Sequence, residues 1–118
     1  LSLGERETRL ITWEDKMHMA VVEPQKICPA QVGSNLATIL RDISVATFRA
    51  CRCRDYARVD IRIDRSGHPF VLEINSMAAL GIGASYVLAA KAAGYTFSSL
   101  VNGILDVAHA RYFGTGIS

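Results

Sequence analysis

From Tyr56 onward apolar and polar residues alternate with a period of two. Ala57, Val59, Ile61 and Ile63 fall on one parity and Arg58, Asp60, Arg62 and Asp64 on the other. That alternation predicts a half-buried strand. Phe70, Leu72 and Ile74 alternate in the same way with Val71, Glu73 and Asn75, and Arg65-Ser66-Gly67-His68 between the runs reads as a turn. The two runs, residues 56–64 and 69–75, therefore predict a hairpin. Upstream, Leu36, Leu40, Ile43, Thr47 and Ala50 recur at helical spacing behind Ser34, a candidate N-cap, and predict a helix over residues 34–52. Downstream, Ser85 caps a predicted short helix over 85–93 that Gly94 closes. Thr96 or Ser98 caps a last one over 97–112, with Leu100, Ile104, Val107 and Arg111 in register. Residues 4–14 read as a charged edge strand, and Pro24, Pro29 and Gly33 mark 15–33 as a long connection. The fold class is mixed α+β: an antiparallel sheet with a central hairpin, packed by helices.

The apolar pattern also sets a register. With Ser66 and Gly67 as the central turn residues, Val59 faces Ile74, Ile61 faces Leu72 and Ile63 faces Phe70, so one face is wholly apolar. On the other face Asp60 stands opposite Glu73 and Arg58 opposite Asn75. Carboxylates directly opposed on a sheet repel, at a cost of up to ~1 kcal/mol, so positive charge belongs between them. Arg58 and Arg62 can supply it as a surface salt-bridge ladder. The other reading is a divalent cation, since Asp60, Glu73 and the Asn75 amide offer the hard oxygens that magnesium takes. Asn is a poor strand former, which favours a task for it here. Arg58 beside the cation can partner Asp60 alone or neutralise an anionic oxygen that develops during reaction.

Composition narrows the classes. The chain has 118 residues, half of them hydrophobic, which suits a single domain with one core and excludes intrinsic disorder. Ten Arg and three Lys against eleven acids give a net charge of +2, without the segregated basic patch of a nucleic-acid binder. No apolar run approaches the ~18 residues of a membrane span, no signal-peptide pattern is visible from Leu1 onward, and the cysteine usage leads us to expect a reducing cytoplasmic setting. Cys28, Cys51 and Cys53 have neither disulfide-framework nor zinc-finger spacing. Arg52 and Arg54 would favour a thiolate at Cys51 or Cys53, although small buried apolar roles suit both better. His18, His68 and His109 lie far apart in sequence and read as surface residues.

Ala57-Arg58-Val59-Asp60-Ile61, followed by Leu72-Glu73-Ile74-Asn75, resembles the ATP-grasp ligases, and among them the D-alanine–D-alanine ligase group. Glu14-Asp15-Lys16, Ile27-Cys28-Pro29-Ala30 and the stretch from Ala89 to Phe97 extend the resemblance over nearly the whole chain from Trp13. It implies a C-terminal segment that binds ATP and magnesium (or manganese). Asp60, Glu73 and Asn75 would hold the metal, Leu72 and Glu73 would meet the nucleotide, and Lys16 would lie near the transferred phosphate. Arg58 would stabilise the anionic intermediate. The implied reaction joins a carboxylate to an amine through an acyl phosphate. Where the group carries Thr-x-Pro-Gly-Met-Thr, this chain reads from Ser76 to Ser85 without Pro. Gly81 and Ser85 are the candidates there for substrate contact. Gly81-x-Gly83 is either an anion cradle or a plain connecting loop. The group's N-terminal and central lobes precede everything seen here, so the chain is expected to be inactive without them. Those lobes are the expected partners. The alternative is a non-catalytic binding or assembly module derived from the same fold, which self-associates as a homo-oligomer.

Overall fold

A computed structural model describes residues 25–114. The chain falls into two units, 1–31 and 32–118. Of the first, residues 25–31 are described, with a cis Cys28–Pro29 bond and an exposed Cys28. The expected strand over 4–14, most of the connection at 15–33, Lys16 and His18 lie outside the described residues. The second unit runs α1 (Ser34–Ala50), β1 (Arg58–Ile63), β2 (Pro69–Asn75), α2 (Ser85–Ala92) and α3 (Phe97–Phe113). The mixed α+β class is as expected, and β1 and β2 form a two-stranded antiparallel sheet. No helix among the described residues is long and apolar enough to cross a membrane.

α1 lies against both strands, and α2 against α3. Leu36, Leu40, Ile43 and Thr47 form the half-buried stripe of α1, while Ala50 is exposed. Gly33, in extended conformation, is its N-cap, and Ser34 is the first helical residue. At its other end α1 closes with a Schellman pattern: Cys53 N donates to Phe48 O and Arg52 N to Arg49 O. Arg52 holds the left-handed position there, at φ 52°. Glycine normally fills that position because it has no Cβ to clash.

Ser85 likewise does not cap α2. Gly83, at φ 84°, and a turn in which Ala84 N donates to Gly81 O deliver the chain one residue earlier, so extended Ala84 is the N-cap. Gly94, at φ 96°, closes the helix as expected, with Tyr95 N donating to Ala90 O and Gly94 N to Lys91 O. Thr96 caps α3 in a reciprocal box with Ser99, a cap of about 1 kcal/mol. Along α3 Leu100 is buried, but Val107 is half exposed, which corrects the expected register face. The buried core of the described residues is Ala78, Val87 and Leu100.

The hairpin differs from its expected register in one half. Arg58 pairs with Asn75, Val59 with Ile74 and Asp60 with Glu73, as predicted. Ile61, Arg62 and Ile63 then pair with Val71, Phe70 and Pro69, leaving Leu72 as the extra residue of a β-bulge. The cause lies in the turn. Its loop is Arg65-Ser66-Gly67, not Ser66-Gly67, closed by Asp64 N donating to His68 O and Gly67 N to Asp64 O. Asp64 Oδ1 accepts from the backbone N–H of Ser66 and of His68, each at 2.8 Å, and Gly67 takes φ 84°. This is the type I turn with a following left-handed glycine.

Candidate functional site

Cross-strand partners in an antiparallel sheet project to the same side, and alternate residues of one strand share a face. The regular strand β1 therefore sets Arg58, Asp60 and Arg62 in a row, with Asn75, Glu73 and Phe70 opposite them. Of the residues predicted as metal ligands, Asp60 and Glu73 face each other and Asn75 is next along, beside Arg58. β1 turns its other side, Val59, Ile61 and Ile63, into partial burial.

Arg58 grips Asp60 with a fork: Nε donates to Oδ1 at 2.7 Å and a terminal nitrogen to Oδ2 at 3.0 Å. The Arg58 guanidinium holds the Asp60 carboxyl below the usual aspartate range, and the pair raises Arg58 in return. Asn75 Oδ1 accepts from Met77 N at 3.0 Å, an Asx turn that leads the chain out of β2. The following segment is tied down further on, where Tyr56 Oη donates to the carbonyl of buried Ala78 at 3.1 Å. Tyr56 also stacks edge-on against Tyr86, with ring centroids 5.3 Å apart. Gly81 and Ser85 are exposed on that segment and at the start of α2. Leu72 is 65% exposed at the bulge.

Sequence reasoning missed three features. Phe70 was assigned to the apolar face, yet it stands opposite Arg62 on the charged one; reading Gly67 as the last residue of a longer loop would have shown it. Tyr56, the anchor of the Ala78 segment, carried no signal beyond its position before β1. Asp55, at φ 68°, takes a bidentate grip from Arg111 near the end of α3, at 3.0 and 2.7 Å. The Arg111 guanidinium holds the Asp55 carboxyl below its usual range.

The remaining candidates show no catalytic grouping. His68 is exposed, with Nδ1 3.3 Å from Asp64 Oδ2. His109 packs on Phe113 with centroids 4.8 Å apart, and its buried Nδ1 has no hydrogen-bond partner. Cys51 is exposed and Cys53 half-buried. Among the described residues no three His, Cys, Asp or Glu side chains group as metal holders. The candidate set is two acids and an amide.

The two-stranded antiparallel sheet packed by helices matches the C-terminal part of an ATP-grasp ligase fold. The family model described as "D-ala D-ala ligase C-terminus" matches residues 5–106, and the chain belongs to that family. An uncharacterized protein of Sinorhizobium fredii, y4sG, is 69% identical over 115 residues, which is 98% of this chain and 34% of that one. The D-alanine–D-alanine ligase of Pelotomaculum thermopropionicum is 32% identical over 82 residues, 70% of this chain and 26% of the ligase. The crystal structure of D-alanine–D-alanine ligase from Bacillus anthracis complexed with ATP superposes with a TM-score of 0.68 at 26% identity, over 75% of this chain and 31% of that one. The chain thus spans about a third or less of the length of these relatives.

Proposed function

We propose that this chain is the C-terminal segment of an ATP- and magnesium-dependent carboxylate–amine ligase, working in the cytoplasm joined to upstream lobes and inactive without them. One observation carries the reading: in a chain of this family, Asp60 faces Glu73 and Arg58 faces Asn75 on one side of the hairpin. Two opposed carboxylates cost stability on a plain surface, and a cation between them removes that cost.

The donor set fits magnesium or manganese. Each Asp60 oxygen accepts one N–H from Arg58 and keeps a lone pair, as does Asn75 Oδ1 after accepting from Met77. With Glu73 these are hard oxygens, and the ion commonly completes its shell with water and phosphate. When bound, it would neutralise phosphate charge and polarise the phosphoryl group. ATP is supported by the Bacillus anthracis ligase, whose crystal structure is an ATP complex.

In the proposed reaction a carboxylate oxygen attacks the γ-phosphorus, the bond to the bridging oxygen breaks, and ADP leaves. The amine nitrogen then adds to the carbonyl carbon of the acyl phosphate, loses its proton and expels phosphate, forming the amide. Arg58 would balance the anionic charge that builds up at the end of the face it shares with Asn75. Lys16 would lie near the transferred phosphate, Leu72 against adenine, and Gly81 and Ser85 toward the acceptor.

Manganese added to the isotopically labelled 118-residue chain is expected to broaden the NMR signals of Asp60, Glu73 and Asn75 first. Broadening confined to other residues, such as Asp64 and His68, would remove the metal assignment.

A second reading, a non-catalytic module that self-associates, is favoured by the exposed apolar side chains of α3: Leu105 at 63%, Tyr112 at 70% and Phe113 at 78%. On that reading sedimentation should be concentration-dependent. A strict monomer with measurable ATP affinity would argue against it.

A further inference from the structure

We infer that Cys51 and Cys53 form a reversible dithiol–disulfide pair at the end of α1, oxidised by an anionic low-molecular-weight disulfide. Neither residue belongs to the charged face of the hairpin, and the pair does not depend on the proposed function.

In a helix that continued past Cys51, side chains two positions apart would not face each other. The backbone turns off instead. Cys51 is the C-cap, at φ −81° and ψ 1°, and Arg52 after it is left-handed at φ 52°. Two hydrogen bonds fix this conformation, from Cys53 N to Phe48 O and from Arg52 N to Arg49 O. Reversing the hand at a single residue swings the next Cβ back toward the side of the one before it. Two Cα steps of ~3.8 Å, folded at a residue of helical curvature, set Cys51 and Cys53 about 5.5 Å apart, within the span that a disulfide bridges. A non-glycine residue in this position is strained, and here the strain brings two thiols together.

Exposure orders the steps. Cys51 is exposed and Cys53 half-buried, so a buried apolar role does not account for Cys51. Arg49, Arg52 and Arg54 beside them are exposed. The acid next in sequence, Asp55, is gripped by Arg111. The patch is therefore cationic and draws an anionic reagent. The Cys51 thiolate attacks one sulfur of the reagent, whose S–S bond breaks and releases the first thiolate. The Cys53 thiolate then attacks the Cys51 sulfur of the mixed disulfide, and the second thiolate leaves as the protein disulfide forms. The two electrons lost by the protein reduce the reagent to two thiols, which take up the two protons. Transient sensing disulfides of this kind occur in reducing compartments.

Glutathione disulfide, which carries carboxylates, is the probe. The full-length protein is incubated with it, the remaining thiols are blocked with N-ethylmaleimide, and monomeric protein is digested with trypsin. Cleavage after Arg49, Arg52 and Arg54 separates Ala50-Cys51-Arg52 from Cys53-Arg54. The expected product is these two peptides joined by a disulfide that dithiothreitol releases. Cys53→Ser should stop the reaction at one glutathione on Cys51, and Cys51→Ser should leave Cys53 without glutathione over the same time. Arg52→Gly, which keeps the left-handed position, should still lose both maleimide labels. Arg52→Val, which disfavours that position, should retain them. Separate glutathione adducts on Cys51 and Cys53, or maleimide on both in the unsubstituted protein, would overturn the pair. Equal pairing in Arg52→Val would overturn it too, because the backbone would then not be its cause.

Discussion

Glu73→Gln or Asp60→Asn in the full-length protein is expected to cut ATP-dependent amide formation about a hundredfold or more, since even loss of an outer-shell metal partner commonly costs 10–100-fold. Both substitutions keep side-chain size and remove a charge. The stability readout separates the two explanations of the face. Glu73→Gln removes one of two opposed carboxylates, so the melting temperature should hold or rise, by the equivalent of a few tenths of a kcal/mol. Lower turnover in an equally stable protein is the signature of a cation site. A salt-bridge ladder gives the reverse: turnover within twofold of the unsubstituted protein, with stability alone affected. Initial rates at several manganese concentrations, alongside thermal melts, decide between them.

Arg58→Ala should lower kcat by about 10²–10³, the loss seen when one donor to a developing oxyanion is removed. KM for ATP should change little, because the interaction belongs to the transition state. The geometry adds a pH effect of known sign. The Arg58 fork holds the Asp60 carboxyl below its usual range, so without it Asp60 takes up a proton at higher pH. The acid limb of the rate profile should therefore move upward in Arg58→Ala. Arg58→Lys, which keeps charge but not the bidentate fork, should shift it less. A kcat within a few-fold of the unsubstituted value would reduce Arg58 to a partner of Asp60.

Much of this was legible in residue spacing. The period-two runs gave both strands, and the Val59–Ile74 agreement gave the half of the register that holds Asp60 and Glu73. Gly94 and Thr96 marked helix ends because each supplies a backbone need: a left-handed residue at φ 96°, and an acceptor for a free N–H. The turn-side half was not legible. Asp64 uses its carboxylate to organise Ser66 and His68, and that side-chain bonding lengthens the loop by a residue that apolar alternation cannot detect. Caps at Gly33 and Ala84 escaped for a related reason. Serine is the better capping residue in general, but extended backbone ahead of Ser34 and Ser85 decides where the helix starts. The grip of Arg111 on Asp55 joins residues 56 positions apart, and no local pattern encodes such a pair.

Leu72 has no place in the ladder: the pairs on either side of it close without it. A different side chain at 72 would leave Asp60 opposite Glu73 and Phe70 opposite Arg62. The tip of the hairpin and its base can therefore diverge independently during evolution. A lineage can reshape what lies against position 72 while the acidic pair is inherited intact.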